Sequence, residues 1–260
     1  MTDFADGKPN GFSPEHRRRA DIQGMRAIAV LLVIVFHAGL PLSGGYIGVD
    51  VFFVISGLVI TTVMLTEMES TDRLSLARFY ARRARRLLPA LAALLVVVAL
   101  SSLIALSPLG TQRTAAKTGV ASALFSANLQ LTRGAIGYFD APADTNPLLH
   151  MWSLAVEEQF YLVFPACILL AWRVARRHRQ LLSPRVTIGV LVLTAAVASF
   201  VYGVAFTKQN PGDAFYSSPA RAWEFSAGAL LALAAPALAR LRPGVNAVIG
   251  PLGLAMILTA

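Results

Sequence analysis

The chain contains a series of apolar runs long enough to cross a lipid bilayer. Six of them have 18 to 23 residues each: 22–42, 46–65, 87–106, 150–172, 186–206 and 221–238. A seventh run, 245–260, has only 16 residues. Because a bilayer requires roughly 20 apolar residues per helix, the sequence predicts an all-α, polytopic transmembrane helix bundle with six complete spans and a partial seventh. The short last run leads us to expect a C-terminally truncated chain.

Composition and charge support this class. Of the 260 residues, 56% are hydrophobic and 14% are charged, whereas soluble domains carry about 25% charged residues. The net charge of +9 lies mainly in the connections, which favours membrane topology over nucleic-acid binding. The basic tail at 1–20 and every second connection together hold 17 Lys and Arg, and the alternate connections hold 4. Cytoplasmic loops are rich in Lys and Arg, so we predict a cytoplasmic N-terminus.

Five ionisable residues lie inside predicted spans, where charge is costly and needs a partner or a function. They are Arg26, His37, Asp50, Glu157 and Glu158. Arg26 and His37 share one helix face about 16 Å apart. The predicted topology puts His37, Asp50 and Glu157 at one depth near the outer leaflet. A histidine beside carboxylates is a candidate general base. A purely structural hydrogen bond by His37, or a helix-capping role for Asp50, is the alternative.

A cluster of arginines opens the third span. Arg82, Arg83, Arg85 and Arg86 lie close behind Tyr80. One interpretation is a cationic anchor on anionic lipid. The other is a site for a phosphorylated ligand, since guanidinium groups bind phosphate oxygens in pairs. The single Cys167 and the spacing of the histidines give no metal-binding motif, so we expect no metal.

Five ordered segments carry a resemblance to a known family. They are DIQGMRAIAVLLVIVFH at 21–37, GYIGVDVFFVISG at 45–57, RFYARRARRLLP at 78–89, HMWSLAVEEQFYL at 150–162 and PARAWEFSAG at 219–228. Together they resemble the bacterial integral-membrane acyltransferase-3 family. Members of that family O-acylate surface glycans such as lipopolysaccharide, peptidoglycan or capsule. The likeness covers most of the predicted membrane domain, 21–260.

The resemblance implies an acyltransferase of the bacterial inner membrane. The acyl group, expected to be acetyl, would come from a cytoplasmic acyl-CoA such as acetyl-CoA and pass to a hydroxyl of a cell-envelope polysaccharide. His37 would deprotonate that hydroxyl or carry the acyl group itself, and Glu157 or Asp50 would orient His37. The residues expected to bind the donor are Arg26, Tyr80, Arg82, Arg83, Arg85 and Arg86. Those expected on the acceptor side are Trp152, Ser153, Glu158, Tyr161, Arg221 and Glu224.

Two other functions remain open at this point. Charged residues inside spans also build proton relays in transporters, so a transporter or exporter subunit is one alternative. Family members have about ten or more membrane helices, and many carry an extracytoplasmic SGNH-type domain that this sequence lacks. An inactive truncated relative is therefore the second alternative. The expected partners are membrane lipids and the glycan acceptor.

Overall fold

The computed structural model describes residues 20–40, 44–108, 110–133, 146–177, 183–240 and 243–259. All regular elements in these ranges are helices, which confirms the all-α class. Ten helices follow in chain order: α1 (Ala20–His37), α2 (Ile47–Thr71), α3 (Leu76–Ala105), α4 (Thr111–Ala123), α5 (Ala127–Arg133), α6 (Met151–Arg177), α7 (Pro184–Gln209), α8 (Pro211–Tyr216), α9 (Ser218–Leu238) and α10 (Pro243–Thr259). The predicted basic tail lies almost wholly outside the described residues.

Five helices are long and apolar enough to cross a membrane: α1, α2, α3, α6 and α7. They confirm a polytopic membrane bundle. The predicted sixth span corresponds to α9, which has 21 residues but is less apolar, since Arg221 and Glu224 lie in its first turns. The last predicted run corresponds to α10, whose apolar part, Val248–Thr259, is short for a span. By length and composition, five helices of the described chain could span a membrane, and the count of six complete spans stays a prediction.

The arginine cluster lies on a helix, although the sequence suggested a polar connection at 66–86. Helix α2 continues to Thr71, and Asp72 ends it in the left-handed conformation with φ of 54°. Ser75 then caps α3 by accepting a hydrogen bond from the backbone N–H of Arg78 at 3.3 Å. Arginine is a good helix former, so the cluster forms regular helix that precedes the apolar part of α3. Its side chains therefore point in directions set by the helical period.

The long connection predicted at 107–149 also contains regular structure. Between the third and fourth predicted spans the structure has two short helices, α4 and α5. Phe125, with φ of 51°, lies between them. A residue in the left-handed region cannot continue a right-handed helix, so the chain turns at this point. Residues 134–145 lie outside the described part.

Helices α2 and α6 have the relative direction that the charged connections predicted. The second and fourth spans were expected to cross the membrane in the same direction. Ser56 contacts Glu157 near the starts of α2 and α6, and Asp72 contacts Trp172 near their ends. The two helices therefore run parallel. Which end faces the cytoplasm remains a prediction from the distribution of Lys and Arg.

Two glycines bring α2 and α9 into backbone contact. A Cβ atom at Gly57 would lie 1.9 Å from the carbonyl oxygen of Phe225, and one at Gly228 would lie 1.9 Å from that of Val54. Real Cβ atoms do not approach so closely, so only glycine fits at either position. Small residues allow close helix packing in membranes. This contact joins the polar residues of α2 to those at the start of α9.

An aromatic stack fills the centre of the bundle between α2, α6 and α9. The ring of Phe225 stacks on Phe53 at 4.4 Å and on Phe160 at 4.3 Å, and Phe160 continues the stack to Phe164 at 4.5 Å. Phe53 and Phe225 are buried. Stacked rings at these spacings pack tightly. Polar side chains lie on two sides of this stack and form the sites described next.

Candidate active site

A cavity of about 230 Å³ lies between α1, α2, α3 and α6. We call it the arginine cavity. Its polar lining consists of Arg26, Ser56, Arg83, Arg86, Glu157 and Tyr161. Ser56 is the tenth residue of α2, so helical rise puts the cavity about 14 Å from the start of that helix. The cavity is therefore deep in the bundle, and three of the lining side chains are cations.

Glu157 is the carboxylate of this cavity and is held by two hydroxyl groups. Ser56 Oγ donates a hydrogen bond to Glu157 Oε1 at 2.6 Å, and the Tyr161 hydroxyl donates to the same oxygen at 2.8 Å. Arg83 Nη2 lies 3.7 Å from it. Hydrogen bonds to a charged acceptor are stronger than those between neutral groups, so these contacts fix the Glu157 side chain.

Arg83 is equally well fixed. Its Nε donates to both carboxylate oxygens of Glu158, at 2.8 and 2.9 Å, and its Nη2 also donates to Glu158. The guanidinium carbon lies 3.5 Å from the centre of the Tyr161 ring, which is a cation–π contact. Glu158 and Tyr161 were expected on the acceptor side. The structure puts both beside Arg83, at the arginine cavity.

Arg26 and Arg86 line the cavity without a partner among the residues that the structure describes. Among the described residues, neither forms an ion pair or a side-chain hydrogen bond. Arg83 and Arg86 are three residues apart and so share one face of α3. Arg82 and Arg85 lie on its exposed side, where Arg82 Nη2 is 3.8 Å from Glu67 and Arg85 Nε donates to the Ala81 carbonyl oxygen at 3.2 Å.

The cluster predicted to bind the donor is therefore divided in two. Tyr80 is not among the residues that line the arginine cavity, and its hydroxyl donates to the Leu162 carbonyl oxygen at 2.8 Å. Arg82 and Arg85 are also outside the lining. The structure brings Arg83 and Arg86 to the cavity and joins them to Arg26 of α1.

His37 is the last residue of α1 and is exposed. We expected the first span to continue to residue 42, with His37 about one and a half turns below its end, and this was wrong. His37 Nδ1 lies 2.8 Å from the Val33 carbonyl oxygen. A carbonyl can only accept, so Nδ1 carries the proton and Nε2 is the basic nitrogen of the neutral ring. A backbone carbonyl thus holds the tautomer for which Glu157 or Asp50 was predicted.

The three residues expected at one depth lie at different levels. Asp50 is in the first turn of α2, and Ser56, which bonds Glu157, is six residues further along. Helical rise separates these levels by about 9 Å. His37 lies beyond the start of α2, because the backbone of Gly45 packs at the level of Leu32 on α1. The structure does not bring Glu157 to the level of His37.

A second histidine lies near His37. His150 immediately precedes α6. Packing around its ring, and the charge that His37 can carry, both lower the pKa of His150 below its ordinary value. A part of the His150 side chain stays accessible. His150 had no predicted role, since the approach of α1 to the start of α6 is a tertiary contact.

A larger cavity of about 760 Å³ lies between α2, α7, α8 and α9. We call it the carboxylate cavity, because Asp50 and Glu224 line it together with Arg221. Arg221 Nη2 donates to Asp50 Oδ1, and its Nε lies 3.1 Å from Glu224 Oε1. Glu224 is 1% exposed. Arg221 and Glu224 were predicted on the acceptor side, and the structure adds Asp50 to them.

Aromatic rings surround the Arg221 guanidinium. Its central carbon lies 5.7 Å from the ring centres of Phe53 and Trp152 and 5.5 Å from that of Phe215. Trp152, predicted on the acceptor side, is buried in this group. Ser153 Oγ donates to the His150 carbonyl oxygen at 3.1 Å. Neither Trp152 nor Ser153 lines the carboxylate cavity.

Ser56, Thr207 and Lys208 line the cavities and had no predicted role. Ser56 lies in a segment quoted for the resemblance, and a hydroxyl in the middle of an apolar run was the available signal. Thr207 and Lys208 lie in the last turn of α7, which was taken for a loop. Within the described ranges, no group of His, Cys, Asp and Glu side chains is arranged to hold a metal ion.

Comparison with known proteins identifies the family. Residues 19–260 match the family model described as "Acyltransferase domain". The chain is 35% identical over 216 residues to the peptidoglycan O-acetyltransferase OatA of Listeria monocytogenes, covering 83% of this chain and 34% of that protein. It is 33% identical over 222 residues to a putative peptidoglycan O-acetyltransferase, YrhL, of Bacillus subtilis, covering 85% and 34%.

A putative O-acetyltransferase of Staphylococcus aureus is 34% identical over 201 residues, which is 76% of this chain and 32% of that protein. The chain thus spans about a third of the length of the curated relatives that it matches. No solved structure matches it significantly. The family match over 19–260, with the predicted motifs on the helices that form both cavities, shows that this multi-pass membrane chain belongs to the acyltransferase family.

Proposed function

We propose that this chain transfers an acyl group, acetyl, from an acyl-CoA to a hydroxyl group of a cell-wall polymer, in the bacterial inner membrane. The names of the relatives support the reaction and the polymer, since two of them are called peptidoglycan O-acetyltransferases. The distribution of Lys and Arg supports a donor site that opens to the cytoplasm.

The observation that carries the proposal is the pair of unpartnered cations in the arginine cavity. Arg26 and Arg86 line it without an ion pair among the described residues, while Arg83 is held by Glu158. Arg26 is half-buried and Arg86 is exposed, and a cation within a membrane bundle indicates a partner or a function. The phosphate groups of acyl-CoA supply the missing anions, and guanidinium groups bind phosphate oxygens well. At about 230 Å³ the cavity takes only part of the donor.

His37 serves in this proposal as the base or the acyl carrier. In direct transfer, His37 Nε2 takes the proton of the acceptor hydroxyl while the hydroxyl oxygen forms a bond to the acyl carbon. The carbon–sulfur bond breaks, and the CoA thiolate leaves and takes up a proton. Transfer through an acyl-histidine uses the same nitrogen. Helical rise puts Arg26 and His37 about 16 Å apart, a separation that the long pantetheine arm of CoA spans.

Acetyl-CoA binding by the chain in lipid nanodiscs tests the donor site. Arg86→Gln and Arg26→Gln should each weaken binding about tenfold, since each removes one charged contact to phosphate. Arg85→Gln is the matched control, because Arg85 is on the same helix but bonds its own backbone. Equal affinity of the Arg86 and wild-type proteins, or an equal loss in the Arg85 protein, contradicts a donor site in this cavity.

A separate measurement addresses His37. His37→Ala should leave acetyl-CoA affinity unchanged, because His37 lies at the end of α1 while the donor cations lie deeper. The same variant should lose transfer to the acceptor, which radiolabelled acetyl groups would detect. Transfer at the wild-type rate would remove His37 from the chemistry and leave the donor site standing.

A further inference from the structure

The carboxylate cavity has the properties of a ligand site, and its deepest group is Glu224. This side chain is 1% exposed, and its Oε2 accepts no hydrogen bond from the described residues. Glu224 also lies next to the carboxyl group of Asp50. Two carboxyl groups thus share the single guanidinium of Arg221. Buried polar atoms are nearly always satisfied, so a hydrogen-bond donor is missing here.

The walls indicate what kind of molecule would supply that donor. Trp223 and Phe200 pack edge to face at 5.4 Å on one side, and Phe215 lies on another. Thr207 and Lys208 lie at the α7 side of the cavity. Ligand sites typically combine aromatic walls with a few converging polar groups. A sugar ring suits such a site, because it has apolar faces and a rim of hydroxyl groups.

Charge narrows the class further. Around Glu224, two carboxyl groups face one guanidinium, and the second cation of the cavity, Lys208, lies at its α7 side. An anionic group would therefore be repelled at the Glu224 end of the cavity. A neutral sugar donates hydroxyl or amide N–H groups without that cost. The volume of about 760 Å³ is in the usual range for ligand pockets, and it is large enough for one sugar residue and part of the next.

The position of the cavity connects it with the reaction. Asp50 lies in the first turn of α2, at the end of the bundle where α1 finishes with His37. The arginine cavity is about 9 Å deeper along α2. Gly48 of α2 packs against Ala29 of α1, eight residues before His37, so Asp50 lies further into the bundle than His37. A glycan bound beside Asp50 therefore lies between the level of His37 and the level of Ser56 in the arginine cavity.

We propose that the carboxylate cavity binds one residue of a neutral glycan acceptor, through a hydroxyl or amide N–H that donates to Glu224. The inference rests on the proposed acyl transfer and specifies its acceptor. Glu224 receives the hydrogen bond, Trp223 contacts the sugar face, and Arg221 is a positioning residue that holds both carboxyl groups. The alternative is a proton shared between Asp50 and Glu224, with no ligand involved.

The test is binding of chitotetraose, a neutral oligomer of N-acetylglucosamine, to the full chain in lipid nanodiscs without acetyl-CoA. Calorimetric titration should show saturable binding that Glu224→Gln weakens about tenfold or more, the effect of losing a hydrogen bond to a charged acceptor. Wild-type affinity in the Glu224→Gln protein overturns the proposal in favour of a shared proton. Tighter binding of tetragalacturonate, an anionic oligomer, overturns the assignment to neutral glycans.

A second variant avoids the buried ion cluster, because Glu224→Gln can disturb folding. Val204 lines the cavity and is 44% exposed, so Val204→Trp should fill it and abolish chitotetraose binding. Val197→Trp is the matched control, since Val197 is two turns earlier on α7, 55% exposed and outside the lining. Equal binding by the two tryptophan variants overturns the proposal.

Acetyl-CoA binding to the same samples separates this inference from the proposed function. If Val204→Trp retains acetyl-CoA affinity and loses chitotetraose, both proposals are supported. If no protein binds chitotetraose while acetyl-CoA binding depends on Arg86, only the acceptor site is wrong. If chitotetraose binds through Glu224 while acetyl-CoA does not bind, the donor assignment fails and the glycan site stands.

Discussion

The arginine cavity and the carboxylate cavity contain similar groups in opposite proportion. Three guanidinium groups face one carboxylate in the first, and two carboxyl groups face one guanidinium in the second. In the first, Glu157 Oε1 accepts two hydrogen bonds, and the cations Arg26 and Arg86 have no partner among the described residues. In the second, Arg221 Nη2 donates to Asp50, while Arg221 Nε and Glu224 Oε2 form no hydrogen bond among the described residues.

The difference shows what each cavity lacks. The arginine cavity lacks an anion, and the carboxylate cavity lacks a hydrogen-bond donor. An acyl-CoA carries phosphate anions, and a sugar carries hydroxyl groups that donate hydrogen bonds. Phe53, buried and stacked on Phe225, lies on α2 midway between Asp50 and Ser56, so the aromatic core separates the two cavities. Each prediction below changes one cavity or both.

The largest expected effect comes from breaking the Arg83–Glu158 pair, which belongs to the arginine cavity alone. Arg83→Gln leaves Glu158, whose side chain is 12% exposed, without its cation. Removing one partner of a buried ion pair costs about 3–5 kcal/mol. Thermal unfolding in nanodiscs should show this loss, and the double variant Arg83→Gln/Glu158→Gln should recover part of it.

Arg82→Gln is the control for that cycle. Arg82 faces Glu67 at 3.8 Å and its side chain is 48% exposed, and such surface pairs contribute about 0–1 kcal/mol. If Arg82→Gln is as damaging as Arg83→Gln, the division of the cluster into arginines that line the cavity and arginines outside it is wrong.

Gly57→Ala should affect both cavities together. The new Cβ would meet the Phe225 carbonyl oxygen at 1.9 Å, so α2 and α9 must separate, at a cost of about 1–3 kcal/mol. A lower unfolding temperature and weaker binding of both acetyl-CoA and chitotetraose are expected. A loss confined to one ligand would mean that the cavities do not share this contact.

Gly189→Ala supplies the comparison for Gly57→Ala. Gly189 lies inside α7, and a Cβ there meets nothing within 4 Å. Replacing glycine by alanine in a helix interior is favourable by up to about 1 kcal/mol. The unfolding temperature should stay level or rise, and a decrease would show that helical glycines matter here for a reason other than close packing.

Two variants, one in each cavity, test whether the cavities bind different substrates, and their expected effects are smaller. Asp50→Asn should raise the KM for the glycan acceptor several-fold and leave the KM for acetyl-CoA unchanged. Ser56→Ala removes the 2.6 Å bond to Glu157 and should show the reverse pattern, roughly tenfold for a charged hydrogen bond. Steady-state kinetics with each substrate varied in turn gives both values. Parallel changes in both KM values would contradict separate cavities.

Much of the architecture could be predicted from local sequence. Apolar runs gave the spanning helices, because length and hydropathy are local properties. The ends were less accurate: Gly39, with φ of 67°, follows α1, and Ser75 begins α3 well before its apolar part. Polar helix extensions and short helices such as α8 have no hydropathy signal, so they were assigned to loops.

The composition of the two cavities could not be predicted in the same way. Asp50 and Arg221 are 171 positions apart, and the close packing of α2 on α9 at Gly57 and Gly228 brings them together. Glu157 was placed level with His37 by a depth argument from the predicted span ends, and the level was wrong because α1 already ends at His37. The contact with Ser56 depends on which faces of α2 and α6 meet. Helical period alone allowed a division of the arginines, but did not say which face points inward.

The smallest expected effect concerns His150, which lies near the end of the bundle where a bound acceptor would meet His37. Packing is the larger cause of its lowered pKa, and the charge of His37 is the second. His37→Gln removes only the second cause, so the pKa of His150 should rise but stay below its ordinary value. A pH titration by NMR with labelled histidine measures this, and His150→Gln identifies the resonance. An unchanged titration would mean that the two rings do not interact, and that a base at this end of the bundle acts without a second imidazole beside it.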